Sequence, residues 1–201
     1  MLVLASASPR RRELLAQAGF SFDVHPAHIP ENPLPNEDPI AYVTRIAREK
    51  AQFVFTRLSA NHAPQSPESP LVVLGADTTV TLDNQILGKP SDPADAARIL
   101  RLLSGRTHRV ITGVALVTAN STEVAAEVTA VRFLTLSDEE IAAYVATGEP
   151  MDKAGAYAIQ GRAARWIPRI EGDYFNVVGL PIALVSTLLE SSRFPLTPPT
   201  S

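Results

Sequence analysis

Apolar segments and amphipathic helical segments alternate along the first hundred residues, and this alternation limits the fold more than any other feature of the sequence. An apolar run at 2–5 is followed by a helix that begins near Pro9. A long amphipathic helix at 39–58 is followed by strand-like runs at 71–74 and 79–82. Strands that alternate with helices in this way predict an α/β protein with a mixed sheet.

Turn and cap signals place the elements that follow. Asp92 predicts the start of a helix that ends at Gly105, and Ser137 with Glu140 forms a capping box for another. The pair Asp83-Asn84 is typical of a hairpin turn.

The rest of the chain divides into a strand pair, an irregular stretch and a last helix. The strand pair is predicted at 110–117 and 123–136, the irregular stretch at 152–178 and the helix at 181–191. A single domain is predicted over 1–193. Two segments are expected to lie outside its packed structure. They are a polar, proline-rich insertion at 59–70, expected to be flexible, and a frayed tail at 194–201.

Composition and charge exclude several classes of protein. Of 201 residues, 45% are apolar and 19% are charged, an ordinary globular balance. The net charge is −3, so the basic field of a nucleic-acid-binding protein is absent and no nucleic-acid partner is expected. The absence of cysteine excludes disulfide scaffolds and thiolate metal sites, and it fits a cytoplasmic location. No stretch approaches eighteen apolar residues, so no membrane span is expected.

Three consecutive arginines, Arg10, Arg11 and Arg12, lie where the first helix begins. A helix N-terminus carries partial positive charge, so each arginine there costs about 0.3–1 kcal/mol. A bound phosphate reverses that sign, because free backbone N–H groups and arginine side chains both bind anions. Ser6 and Ser8 lie in the same strand-to-helix turn. The turn therefore suggests a phosphate site, and arginines that simply pair with carboxylates in solvent are the alternative.

Asp77 comes shortly after the apolar run 71–74. Aspartate is depleted in strands and costly to bury unpaired, so it is either a turn residue bonded to its own backbone or a functional carboxylate. In the second case it serves as a magnesium ligand or as the base for an attacking water. Lys89 lies between glycine and proline in a loop, where the stiff backbone fixes its reach.

Three more polar residues have positions that suggest a function. Lys50 lies on or beside the packed stripe of the long helix, not opposite it. Gln160 ends a segment rich in glycine and alanine, 148–161, where small residues permit close approach to a planar ligand and the amide can read a base edge. An ordinary irregular crossover is the alternative for that segment. Glu31, in a proline-rich loop, reads by itself as a surface carboxylate, and the four histidines show no metal-ligand spacing.

Seven motifs occur in one order along the chain. They are SASPRR near the N-terminus, REKA (48–51), GADTTV (75–80), LGKP (87–90), LSGRTHRVITGVAL (103–116), DKAGAYAIQG (152–161) and GDYFNVVGLP (172–181). Together they resemble the Maf family of nucleoside triphosphate pyrophosphatases, from about Leu2 to Leu189.

The resemblance implies an elongated α/β fold with two lobes and a central cleft, similar to the inosine triphosphate pyrophosphatases. It implies hydrolysis of a nucleoside triphosphate between the α and β phosphates, dependent on Mg²⁺ or Mn²⁺, that gives the monophosphate and pyrophosphate. The motif at 152–161 is similar to that of the dTTP/UTP pyrophosphatases, so dTTP, UTP or modified pyrimidine nucleotides are the expected substrates. The oligomeric state is left open, a homodimer included.

The same resemblance implies roles for individual residues. Asp77 matches the proton acceptor, and Asp77 and Glu31 are the expected metal ligands. Three residues match positions tied to substrate choice: Arg10, Thr78 and Gln160. Three match polar residues of the cleft: Glu31, Lys50 and Lys89. Phosphate binding is expected from Ser6, Ser8, Arg10 and Arg11.

Two other functions stay open. The first is the same chemistry on a modified purine nucleotide such as 7-methyl-GTP. The branch that acts on it usually has serine-phenylalanine where this chain has Ala156-Tyr157. The second is a nucleotide-sensing regulatory protein of cell division that binds without turnover. The presence of Asp77, Lys50 and Lys89 argues against a catalytically dead pocket.

Overall fold

The structure, a computed structural model, describes residues 1–61 and 70–192. Over these residues the chain forms six helices and one mixed sheet of seven strands, which confirms the predicted α/β class. The strands are β1 (Leu2–Leu4), β2 (Asp23–Val24), β3 (Val72–Leu82), β4 (Gln85–Leu87), β5 (Thr107–Val117), β6 (Thr122–Arg132) and β7 (Arg169–Glu171). The helices are α1 (Pro9–Gln17), α2 (Pro39–Asn61), α3 (Pro93–Leu103), α4 (Asp138–Val145), α5 (Tyr174–Val178) and α6 (Ile182–Ser191).

The strand order is β2-β1-β3-β5-β6-β7, and β4 pairs with β3. β1 is parallel to both β2 and β3, whereas β4 and β7 are antiparallel to their partners. The described residues form two compact units. The first contains residues 1–61, 70–77, 112–127 and 179–192, and the second contains residues 78–111 and 128–178.

The first unit is built around the contact of α2 with the sheet. Apolar side chains of α2 pack with those of β1, β3 and β5 in one buried cluster. Gly75 makes the closest approach, because a Cβ built there would lie 2.1 Å from the carbonyl oxygen of Ala47 on α2. Only glycine lets the backbones of β3 and α2 meet at this distance.

The second unit carries its own apolar cluster, to which α3, α4, β4 and the 3₁₀ turns contribute. Its helix starts agree with the sequence: the Asp92 carboxylate accepts a hydrogen bond from the N–H of Asp95 at 2.8 Å, and both bonds of the Ser137–Glu140 capping box are present. The predicted hairpin turn between β3 and β4 is also confirmed.

Two predictions about elements are wrong. The two short strands predicted around the GADT sequence are one continuous strand, β3. The stretch predicted as irregular, 152–178, contains 3₁₀ turns, β7 and α5. β7 has only three residues and pairs antiparallel with β6, so the sequence carries too few alternations to reveal it.

The polar insertion predicted at 59–70 also differs in part, because α2 continues through residues 59–61. Residues 62–69 of this insertion and the tail at 194–201 lie outside the described residues. The prediction of a single domain over 1–193 stays a prediction. Within residues 1–61 and 70–192, no helix combines the length and the apolar character needed to cross a membrane.

Candidate active site

Asp77 lies inside β3, and only 5% of the residue is exposed. A buried carboxylate in the middle of a strand needs a compensating charge. Lys50, from α2, supplies it: its Nζ lies 2.8 Å from Oδ1 of Asp77. Lys50 is buried as well, so the pair lies largely out of contact with solvent. The strand therefore runs through Asp77 without a turn because this tertiary partner satisfies the carboxylate.

Glu31 completes a cluster of three charges, here called the Lys50 cluster (Glu31, Lys50 and Asp77). Its Oε1 also lies 2.8 Å from Nζ of Lys50, and its side chain is 41% exposed. One ammonium group thus bridges a buried carboxylate and a half-exposed one. The structure brings these three predicted site residues together within the first unit.

Two residues of α2 that sequence reasoning missed hold the loop that carries Glu31. The hydroxyl of Tyr42 donates to the carbonyl of Glu31 at 2.8 Å. Arg45 donates to both carboxylate oxygens of Glu37, at 2.6 and 2.8 Å, and to the carbonyl of Asn32 at 3.1 Å. Their spacing on one helix, three residues apart, is the signal that could have shown them.

The electrostatics of the Lys50 cluster favour a basic carboxylate. Burial raises the pKa of Asp77 above its ordinary value, whereas the charges of Lys50 and Arg11 act to lower it. The nearby charge of Glu31 adds to the increase. A carboxylate with a raised pKa accepts a proton from water more readily than an ordinary one. Burial also raises the pKa of Tyr42, which keeps its hydroxyl a donor.

The three arginines of α1 occupy different environments. Arg11 is buried and donates through Nε to the carbonyl of Gly179 at 2.8 Å and through Nη1 to that of Ala76 at 2.9 Å. Arg10 is half-buried and Arg12 is exposed. Arg11 therefore joins α1 to the residue before Asp77, a role that the sequence did not predict. Its expected contact with phosphate stays a prediction.

The serines of the first turn are also placed. Ser6 is buried, and its Oγ accepts hydrogen bonds from Nη1 of Arg11 and from the N–H of Ser8, both at 3.2 Å. Ser8 occupies the N-cap position of α1, but its side chain makes no capping hydrogen bond. The turn is thus ordered by Ser6 and by the guanidinium group of Arg11.

The donor set fits a divalent cation that arrives with a phosphorylated ligand. Carboxylate oxygens of Asp77 and Glu31 both contact one point that already holds a positive charge, Nζ of Lys50. Mg²⁺ is commonly bound by one or two carboxylates together with substrate phosphates. No group of three or more histidine, aspartate or glutamate residues suited to a metal occurs in residues 1–61 and 70–192. Asp77 and Glu31 could therefore hold a metal whose remaining ligands are phosphate oxygens and water.

The other predicted residues belong to the second unit. Thr78, half-buried, follows Asp77 directly in β3. Lys89 and Gln160 are both exposed. Their segments are joined, because the N–H of Gly155 donates to the carbonyl of Gly88 at 3.1 Å. The structure thus links the lysine loop to the 152–161 segment within this unit.

The site combines a buried aspartate, a lysine that bridges two carboxylates, and arginines at a nearby turn of an α/β fold. This combination defines a class of protein suited to acid–base or metal-assisted chemistry on an anionic ligand. The comparisons make this specific. The chain belongs to the Maf family, since the model described as "Maf-like protein" matches residues 1–192.

Curated relatives cover nearly all of the chain. It is 54% identical over 188 residues to a dTTP/UTP pyrophosphatase of Koribacter versatilis, an alignment that covers 94% of this chain and 92% of the relative. It is 49% identical over 204 residues to a dTTP/UTP pyrophosphatase of Aromatoleum aromaticum, which covers 97% of each. It is 47% identical over 197 residues to a dTTP/UTP pyrophosphatase of Bacillus pumilus, which covers 98% of each.

Proposed function

We propose that this protein is a nucleoside triphosphate pyrophosphatase that hydrolyses dTTP and UTP to the monophosphate and pyrophosphate. The substrate class is supported by relatives with that name at about half identity over nearly the whole chain. The chemistry is supported by one observation above all, the buried Asp77 carboxylate beside Nζ of Lys50. The name of these relatives does not favour 7-methyl-GTP as the substrate.

Asp77 is the proposed base. Its carboxylate orients a water molecule and takes its proton as the water oxygen forms a bond to the α-phosphorus. The bond from that phosphorus to the oxygen that bridges the β-phosphate breaks, and pyrophosphate leaves with the electron pair. Burial supports this role, because it raises the pKa of Asp77 and so strengthens the base.

The positive side chains are proposed to stabilise the phosphates. Lys50 lies closest to the base and is the first candidate for neutralising charge that develops on the phosphates. The other proposed phosphate contacts are Ser6, Ser8, Arg10, Arg11 and Lys89. Mg²⁺ or Mn²⁺, bound by Asp77 and Glu31, would neutralise phosphate charge and polarise the α-phosphate. Thr78 and Gln160 are proposed to face the base or the sugar.

A panel of nucleotides tests the proposal. The purified chain is incubated with Mg²⁺ or Mn²⁺ and with dTTP, UTP, CTP, GTP or 7-methyl-GTP, and released pyrophosphate is measured. We expect fastest release from dTTP and UTP, and a loss of about 10²–10⁴-fold in kcat for Asp77→Asn. Asp83→Asn, an exposed carboxylate in the hairpin turn, is the matched control.

Four outcomes would contradict the proposal. If no triphosphate yields pyrophosphate, or if UTP binds tightly without turnover, the protein is not an active pyrophosphatase. If 7-methyl-GTP is the best substrate, the substrate class is wrong. If Asp77→Asn keeps full activity, the base is another residue.

Other expectations stay predictions of the resemblance and the composition. These are the two-lobed shape with a central cleft, the similarity to inosine triphosphate pyrophosphatases, a cytoplasmic location and the absence of a nucleic-acid partner. The oligomeric state, a homodimer included, is left open by the sequence. Sedimentation of the purified protein with and without UTP measures the oligomeric state directly.

A further inference from the structure

Glu149 binds the backbone next to Gln160. The proposed chemistry does not use this residue. Its Oε1 and Oε2 accept from the N–H of Arg162 at 3.1 and 3.4 Å. A Cβ built on Gly161 would lie 1.9 Å from Oε1 of Glu149, so the carboxylate lies directly against this backbone. Glycine at 161 is what permits that approach.

Tyr144, at the end of α4, holds the other side of Gln160. Its hydroxyl accepts from the N–H of Ala158 at 3.2 Å and donates to Oε1 of Glu149 at 2.8 Å. The Tyr144 ring is 1% exposed and packs edge-on against Trp166, with 5.1 Å between ring centroids. The hydroxyl is therefore fixed by a buried ring.

These contacts form one hydrogen-bond network, here called the relay (Tyr144, Glu149 and Lys153), around the exposed side chain of Gln160. The backbone N–H groups two residues before Gln160 and two residues after it are both bound, one by Tyr144 and the other by Glu149. Nζ of Lys153 adds a third point of attachment by donating to the carbonyl of Glu149 at 3.0 Å. Hydrogen bonds to a charged acceptor are the stronger kind.

We propose that Glu149 and Tyr144 are positioning residues for base recognition, because they fix the backbone on both sides of Gln160 and so aim its amide at the pyrimidine. This inference rests on the proposed function, in which Gln160 reads the base. An amide on a long side chain selects one base edge over another only when its backbone is held still. The relay supplies that restraint without touching the nucleotide.

The experiment compares UTP with CTP, two substrates that differ only in the base edge. Kinetic constants and unfolding midpoints are measured for the whole chain and for Glu149→Ala, Tyr144→Phe and Gln160→Ala. We expect Glu149→Ala to raise the KM for UTP about tenfold and Tyr144→Phe about threefold, with kcat nearly unchanged and a reduced preference for UTP over CTP. Glu149→Gln keeps one acceptor oxygen and should restore most of the binding.

A matched control separates positioning from stability. Glu140 accepts from Trp166 Nε1 at 3.2 Å and from the N–H of Ser137 at 2.9 Å, and both of these donors lie outside the segment 158–162 around Gln160. Glu140→Ala should lower the unfolding midpoint and leave the KM and the preference for UTP as they are. An equal rise in KM for Glu140→Ala would overturn the inference.

A double-mutant cycle decides whether Glu149 acts through Gln160. If it does, Glu149→Ala added to Gln160→Ala changes the UTP preference no further. Additive losses would overturn the inference, as would an unchanged KM and preference in Glu149→Ala and Tyr144→Phe. The proposed function is tested separately, by measuring pyrophosphate release from dTTP and UTP by the unmodified chain. If that release is absent, the proposed function fails and the inference falls with it.

Discussion

Asp77 in the first unit and His108 in the second are both buried titratable side chains, yet their surroundings differ. Asp77 has cationic neighbours, whereas His108 lies among aromatic rings. Oδ1 of Asp77 lies 2.8 Å from Nζ of Lys50, and the charge of Arg11 acts to lower the pKa of Asp77. His108 packs edge-on against the rings of Phe133 and Tyr157, and its Nε2 lies 2.8 Å from the hydroxyl of Tyr157. Burial lowers the pKa of His108 to about 3, so the imidazole is neutral at physiological pH.

The difference separates the proposed base, Asp77, from a packing group, His108. A charge in the interior is costly, and the first unit keeps one by surrounding Asp77 with cations. The second unit avoids the cost by keeping His108 uncharged among aromatic rings. Burial by itself therefore says little about function; the partners that the fold provides decide it.

The largest expected effect comes from the close approach of β3 to α2, the elements that carry Asp77 and Lys50. Gly75→Ala places a Cβ 2.1 Å from the Ala47 carbonyl, so β3 or α2 has to move. We expect a loss of about 3 kcal/mol or more in the free energy of unfolding, measured by urea denaturation. Gly88→Ala is the control, since nothing lies within 4 Å of its Cβ. Equal losses in the two variants would show that the contact carries no special weight.

The next largest effect is expected from the removal of Arg11, the second cation near Asp77. Arg11→Met leaves the carbonyls of Ala76 and Gly179 without their guanidinium donors. We expect a loss of about 2–4 kcal/mol in the free energy of unfolding. Arg12→Met, on the exposed side of α1, should change it by less than about 0.5 kcal/mol. Similar values for the two would mean that the buried contacts of Arg11 do not contribute.

The third effect shifts a pH profile. The charge of Lys50 lowers the pKa of Asp77, so Lys50→Met raises that pKa further. The acid side of the kcat profile should move to higher pH, and turnover should fall about a hundredfold because the proposed phosphate contact of Lys50 is lost too. Arg48→Met, exposed on the same helix, should leave the profile in place. An unmoved acid side in Lys50→Met would contradict the proposed charge coupling.

The smallest effect concerns the neutral histidine. Its folded pKa of about 3 lies below the unfolded value, so unfolding takes up a proton below about pH 6.5 and stability falls as the pH drops. One proton gives a slope of about 1.4 kcal/mol per pH unit. His108→Gln should remove that slope from urea unfolding between pH 5 and 6.5. His28→Gln, at an exposed position, should retain it; the same slope in both variants would mean that His108 is charged when folded.

The sequence predicts what local patterns determine. Alternating segments predict the α/β class, and the capping box at Ser137 and Glu140 depends only on neighbouring residues. The conformation around Asp77 could not be predicted, because a partner 27 residues away decides between strand and turn. The relay from Tyr144 through Glu149 was missed for a related reason: its acceptors and donors are largely backbone groups, which every residue carries.

The carbonyl acceptors of Arg11 have a consequence for the newly synthesised chain. One of them, on Gly179, is 168 residues away along the sequence. A chain still on the ribosome that has not been extended past that residue lacks this anchor, however early α1 and α2 have formed. The arginine next to the Asp77 segment is therefore fully restrained only after residue 179 has been synthesised.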